Sequence, residues 1–195
     1  MAFTSTKDNR FVWIDLETTG LEPKGGLILE AAVVLTDAQL RLIDSINIVV
    51  PHKMSTLNAT LDDFTTKMHT DNGLIKDIAH LNRFGNETGD IAHTILDSEI
   101  VGFLQSHDVG KIPMCGSSVA FDRNWVNEHL TMTAQAFHYR NIDVSSMLEA
   151  IARINPHMIP NVPQIGTAHR AMGDIQTTIE TLRVIAKISG WSYIA

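Results

Sequence analysis

The chain is short of cysteine, of positive charge and of long apolar runs, and each shortage removes a class of protein. Cys115 is the single cysteine, so no intramolecular disulfide framework is available. Fifteen Lys and Arg stand against 22 Asp and Glu, a formal net charge of −7. That balance argues against a protein that grips long duplex DNA or RNA by neutralising many phosphates. It leaves room for a nucleic-acid enzyme whose site carries its own metal ions. No apolar stretch approaches the length of a bilayer span, so no membrane partner is expected. Met1 to Arg10 is polar and lacks the apolar region of a secretory signal, which makes a cytoplasmic protein the default. Internal repeats and low-complexity tracts are missing too. What remains is ordinary for a globular protein: 195 residues, 44% hydrophobic and 19% charged. That is enough apolar material for one domain, with a core from about residue 10 to residue 188.

The most informative stretch runs from Phe11 to Leu21. Four apolar residues, Phe11-Val12-Trp13-Ile14, read as a strand buried on both faces. The run ends in Asp15 and Glu17 and then a glycine turn. Side chains alternate along a strand, so two positions apart share a face. Asp15 and Glu17 would then present paired carboxylates at the strand's C-terminal end. Bare carboxylates side by side repel, and a divalent cation between them removes the problem. Hard oxygen ligands suit Mg²⁺ or Mn²⁺. The plainer alternative is a strand end that happens to be acidic.

Along the chain, Leu21 to Gly26 is a turn by composition. Leu27 to Thr36 and Leu40 to Val50 read as strands joined closely enough to pair as an antiparallel hairpin, which Pro51 ends. Thr56 to Leu81 looks helical in two pieces, broken near Asp71-Asn72-Gly73. Asn82 to Gly89 is a polar loop. Ile91, Ile95, Ile100, Phe103 and Leu104 mark a further helix. Lys111 to Cys115 reads as a short strand, and Phe121 to Leu130 as a helix with Asp122 in its first turn. Asn141-Ile142 is a last short strand, and Asp143 is a good N-cap for a helix through Ile154. Asn155 to Ala168 holds Pro156, Pro160 and Pro163 and should be a loop. The last helix runs from about Ala171 to Ile188. A hairpin followed by strands alternating with helices gives an α/β fold with a mixed sheet.

Two more acids stand where elements begin. Asp122 follows the loop after the fourth strand, at the rim where α/β sheets place ligands; the alternative is favourable helix N-terminal electrostatics. Asp174 follows His169 by five residues, which is about 140° on a regular helix. The two could meet only if His169 lies on the loop and Asp174 in the helix's first turns. Nine histidines make a single one uninformative.

Taken together, Asp15, Glu17, Asp122 and Asp174 with His169 resemble, in order and local context, the DEDDh 3′→5′ exonucleases. The resemblance spans Phe11 to about Lys187. Asp15-Leu-Glu-Thr-Thr-Gly20 looks like the first motif of many such exonucleases, ribonuclease T and polymerase proofreading subunits included. The segment Ala136-Phe137-His138-Tyr139-Arg140-Asn141-Ile142-Asp143-Val144-Ser145-Ser146 resembles the His-Tyr-Arg…Asp-Val-Ser signature of oligoribonucleases. Met68-His69-Thr70-Asp71-Asn72-Gly73-Leu74 and Cys115-Gly116-Ser117-Ser118 are similar to oligoribonuclease segments as well. Three departures stand out. Thr18 and Phe64 replace the family's usual methionine and tryptophan, and Ser145-Ser146 replaces its serine-threonine pair.

The resemblance implies a ribonuclease-H-like fold: a mixed five-stranded sheet, an antiparallel hairpin beside parallel strands, flanked by helices. It implies 3′→5′ hydrolysis of short single-stranded RNA to nucleoside 5′-monophosphates, with two divalent cations, Mg²⁺ or Mn²⁺. Asp15 would bridge the ions, Glu17 and Asp174 would complete one site, and Asp122 would serve the second. His169 would be the general base; an imidazole titrates near neutrality, which suits that task. Leu21 would wedge against the terminal bases, Phe64 would stack on one, and His69 would contact a phosphate or sugar. Ser118, Arg140, Ser145 and Ser146 would hold the 5′ phosphate, with Tyr139 beside them. The family forms homodimers in which the Tyr139-Arg140 segment completes the partner's site. For Leu21, Phe64 and Tyr139 the alternative is core packing. Competing functions are a ribonuclease T-like trimmer, a DNA proofreader and a non-catalytic nucleic-acid-binding module.

Overall fold

The structure is a computed structural model that describes residues 8–83, 91–161 and 169–191. Its centre is a five-stranded sheet: β1 (Phe11–Thr18), β2 (Ile28–Thr36), β3 (Leu42–Val49), β4 (Met114–Gly116) and β5 (Asn141–Asp143). The spatial order is β3-β2-β1-β4-β5. β1 runs antiparallel to β2 and parallel to β4, and β2–β3 is the antiparallel hairpin. β1 is therefore paired on both edges and covered on both faces, which is why its apolar run is continuous.

Alternation along β1 sorts the helices. Val12, Ile14 and Leu16 face a core built from α4 (Ala92–Ser106) and α5 (Ala120–His129), with Ile100, Leu104, Trp125 and Val126 against them. Trp13 faces the other way, toward α7 (Val144–Ile154) and α8 (Ala171–Ile188), where Val144, Ile175, Ile179 and Leu182 pack. Asp15 and Glu17 continue the Trp13 face. The sheet thus delivers two carboxylates to the α8 side at the C-terminal end of its central strand.

The hairpin, the central strand and α8 lie where periodicity puts them, while the strand before α5 is Met114–Gly116, shifted past the expected Lys111–Cys115. The Thr56–Leu81 region differs, with three helices in place of two: α1 (Met54–Thr60), α2 (Asp63–Asp71) and α3 (Leu74–Arg83). The additional break has a local cause. The Asp62 side chain accepts from the Thr65 amide, and the Thr65 side chain answers the Asp62 amide, a capping box that starts a new helix. The second break sits at Gly73, whose φ of +84° suits glycine.

A short helix that periodicity does not mark, α6 (Thr131–Ala136), follows α5 directly. Buried Asp97 on α4 accepts from the Met132 and Thr133 amides at 2.9 and 2.8 Å and so caps it from a distance. Pro156–Asn161 forms a 3-10 turn within the expected loop. The rest of that loop, 162–168, lies outside the described residues, as does most of the expected loop at 82–89. Among the described residues no helix is long and apolar enough to cross a membrane.

Candidate active site

Asp15, Glu17 and Asp174 each bring a carboxylate oxygen to one point, all within 4.8 Å of one another. Asp15 and Glu17 come from alternate positions of β1, and Asp174 from the first turn of α8, which packs on that face. Burial, with the charges of Asp174 and Glu30 nearby, pushes the Asp15 carboxyl up to about 8. Burial also raises Glu17 to about 8, helped by Asp15, Asp174 and Glu30 and opposed by Arg170. Such a cluster is costly on its own, because each charge is desolvated beside others of the same sign. A hard divalent cation ligated by oxygen answers both costs, and the donor set fits one.

Asp122 is placed differently. It belongs to α5, on the opposite side of β1, and reaches around the strand's end. It is 4% exposed, and its Oδ1 accepts from the Leu16 amide at 3.0 Å. Burial first, then the charge of Asp15, raises its carboxyl well above the ordinary range. It is thus near Asp15 without joining the three-oxygen cluster.

His169 lies two residues before α8, outside the helix, with a left-handed backbone (φ +46°). Helical geometry allows it to approach Asp174 only from such a position. It stands close enough to His69 for a charge on His169 to disfavour one on the His69 ring.

His69, expected to contact a phosphate or sugar, lies buried behind Glu17. Its ring is 0% exposed. Its Nε2–H donates to the Thr18 carbonyl at 2.9 Å, and Nδ1 lies 3.9 Å from Glu17 Oε2 with no hydrogen-bond partner. Burial depresses its pKa, so the ring is a neutral support behind Glu17. Any group that meets Nδ1 must already lie in the space beside Glu17.

The three large side chains with a core alternative are not in the core. Leu21, Phe64 and Tyr139 are 83%, 73% and 75% exposed. Leu21 rides on the loop after β1, which is fastened at its base: the Thr19 amide donates to the Leu27 carbonyl and the Leu27 amide to Thr19 Oγ1. The loop also leans on α5, where the His129 ring donates to the Pro23 carbonyl at 2.7 Å and Trp125 fills the space a Cβ on Gly26 would need.

The serines converge around one carboxylate. The Ser118 amide, in a left-handed backbone, donates to Asp143 Oδ1 and meets Ser145 Oγ, both at 3.0 Å. Ser145 Oγ donates to the same Asp143 oxygen at 2.7 Å, and the Ser146 amide approaches it at 3.4 Å. Arg140 places its guanidinium over the Tyr139 ring, 5.4 Å from the centroid.

Sequence reasoning passed over Glu30, Arg170 and Asn72, which link β2, α2 and the start of α8. The available signal was Glu30 itself, an acid in the middle of the apolar run Ile28–Thr36, since a buried acid needs partners.

Comparisons with known proteins show the family. The exonuclease family profile matches residues 12–182. An oligoribonuclease of Shewanella loihica is 34% identical over 177 residues, covering 90% of this chain and 93% of the relative. Those of Idiomarina loihiensis and Legionella pneumophila are 35% and 34% identical, over 91% and 90% of this chain and 94% and 90% of theirs. Among solved structures, E. coli exonuclease I, as a zinc-bound complex with single-stranded DNA, superposes with a TM-score of 0.64 at 16% identity. The match covers 95% of this chain but only 42% of that one, and it shows a shared fold.

Proposed function

This chain belongs to the exonuclease family, among the oligoribonucleases, and on that premise we propose that it hydrolyses short single-stranded RNA from the 3′ end to nucleoside 5′-monophosphates. The observation that carries the reading is the convergence of Asp15, Glu17 and Asp174 oxygens, with Glu17 buried and the other two half-buried. Asp15, Glu17 and Asp174 would hold one Mg²⁺ or Mn²⁺, and Asp122 with Asp15 a second. Bound there, such ions stabilise the charge that builds on the attacking and leaving oxygens of phosphodiester cleavage.

The chain's own residues do the rest. His169 takes the proton from the attacking water. His69 holds the β1 terminus through the Thr18 carbonyl and backs Glu17. Leu21 and Phe64, large and exposed, offer apolar faces on which terminal bases stack. Ser118, Ser145 and Ser146 with Arg140 and Tyr139 receive the 5′ phosphate, and the guanidinium matches phosphate oxygens in pairs. A pocket for the far end suits very short substrates, and the net charge of −7 supports the same preference over long chains. In a homodimer the exposed Tyr139-Arg140 segment would complete the partner's site.

The test is product analysis over time with 5′-labelled RNAs from two to about twenty-four nucleotides, with Mg²⁺, Mn²⁺ or EDTA. Metal-dependent stepwise release of 5′-monophosphates, fastest on the shortest RNAs, is expected. Equal rates at all lengths would leave a general exonuclease. Activity undiminished by rigorous chelation would remove the metal site.

A further inference from the structure

Glu30 is an acid on β2, 1% exposed and directly across from Glu17 in the β1–β2 pair. Acids facing each other across strands repel, so both persist only with compensation. For Glu30 the compensation is four donors. Arg170 brings Nε to one carboxylate oxygen and Nη2 to the other, both at 3.0 Å. The Asn47 amide adds a bond at 2.9 Å and the Ala171 backbone N–H one at 3.2 Å.

The remaining Arg170 nitrogen, Nη1, pairs with Asp77 on α3 at 3.0 Å and lies 3.5 Å from the Asn72 carbonyl. Asn72 works in two directions. Its Oδ1 accepts from the Leu74 amide at 2.9 Å and starts α3, while its Nδ2 donates to the carbonyl of His169. Residues 169 and 170 are therefore gripped from β2 on one side and from the α2–α3 corner on the other.

The grip falls where the backbone needs it. His169 has φ +46°, a left-handed conformation that costs a side-chain-bearing residue energy and lasts only where its surroundings impose it. Arg170, the N-cap of α8, is extended and forms no side-chain cap bond. Helix entry is thus set by tertiary contacts and not by a local cap. The Asp174 amide donates to the Arg170 carbonyl at 3.1 Å, so the same contacts fix the turn that carries Asp174.

We infer that Glu30, Arg170 and Asn72 are positioning residues that hold His169 in its left-handed backbone, in working position beside the carboxylate cluster. The inference rests on His169 being the general base. It also joins the base to α2, which carries exposed Phe64 near its start and is C-capped by Asn72. A change in how α2 sits on substrate would reach His169 through one hydrogen bond.

Asn72→Asp isolates the effect. Aspartate keeps an oxygen to start α3 but loses the donor to the His169 carbonyl. Wild type, Asn72→Asp, His169→Ala and the double variant are compared on a 5′-phosphorylated dinucleotide at saturating Mn²⁺. Turnover, KM, Mn²⁺ affinity by calorimetry and melting temperature are read for each. Asn72→Asp should lower kcat about 10- to 100-fold, the scale of a misplaced catalytic group. KM should stay within about threefold, and Mn²⁺ affinity should be unchanged. In the His169→Ala background the same change should cost less than about twofold, because it acts through the histidine. Arg170→Lys, which keeps charge without the fork, should lose less kcat than Arg170→Ala and show the same dependence on His169.

Wild-type turnover in Asn72→Asp overturns the inference. So does an equal loss with and without His169, which marks a merely structural contact. If His169→Ala keeps full activity, the general-base reading falls and takes the inference with it; if only the His169 variant is impaired, that reading stands and the positioning role falls.

Discussion

Replacing Asp15 with Asn should stabilise the protein when metal is removed, and that advantage should shrink or reverse when metal is present. The ordinary aspartate pKa is 3.8, and burial with Asp174 and Glu30 nearby raises that of Asp15 to about 8. A carboxyl raised on folding binds its proton more tightly in the folded state. It therefore costs nothing below pH 3.8 and costs progressively more as pH rises toward 8. At pH 7 the span from 3.8, at about 1.4 kcal/mol per pH unit, comes to about 4 kcal/mol. Asparagine carries no such cost. Its amide satisfies the site imperfectly and the neighbouring acids readjust, so a gain of about 2–4 kcal/mol is expected. For a chain of this size that is about 5–15 °C in Tm.

Calorimetric melts in EDTA at pH 7 and pH 5 check this, and the gap should narrow at pH 5, where less of the cost remains. Mg²⁺ at a hundred times its Kd should add about 2.7 kcal/mol to wild type and little to the variant. The expected order of melting temperatures therefore closes or reverses with metal. An Asp15→Asn protein that melts below wild type in EDTA at pH 7, by a margin that shrinks as the pH falls, would refute the reasoning. It would mean that Asp15 is held by hydrogen bonds and not stressed by its neighbours. Activity should be lost in either outcome.

Three further outcomes are expected. His169→Ala should lower kcat by about 10²–10⁴ with metal affinity retained and flatten the acidic limb of the pH–rate profile; a loss below about threefold would assign proton abstraction elsewhere. Arg140→Ala should lower kcat/KM most on a 5′-phosphorylated dinucleotide and least on a twenty-nucleotide RNA, because a terminal phosphomonoester carries more charge than a bridging diester. A defect independent of length would separate Arg140 from 5′-end recognition. His93, whose Nε2 accepts from the Ile28 amide at 3.1 Å, has its pKa pushed down to about 4 by burial, with His129 and His52 adding repulsion. A depressed histidine contributes stability that is present above its ordinary pKa of 6.5 and is lost as pH falls toward 4. With Mg²⁺ bound, wild type should lose about 1 kcal/mol between pH 7 and pH 5, after allowance for partial exposure. His93→Gln, which can still accept from Ile28, should lose less, as read from urea midpoints.

The central strand, the hairpin beside it and the helix ending at Lys187-Ile188 were legible locally, because burial imposes a period on apolar residues and the period names the element. The same alternation put Asp15 and Glu17 on one face before any partner was known. Local pattern did not say which helix covers which face. Packing α8 on the Trp13 face makes Asp174 the third member of the carboxylate cluster, while α5 on the other face keeps Asp122 at the Leu16 amide. Burial of His69 and exposure of Leu21, Phe64 and Tyr139 were likewise decided by packing, since an aromatic or a histidine fits a core or a binding face equally well in sequence. The Asp97 cap on α6 spans 35 and 36 positions, and the Glu30–Arg170 pair spans 140. Periodicity reports only on neighbours a few residues away, so contacts across such distances exist for the chain only once the sheet has brought its ends together.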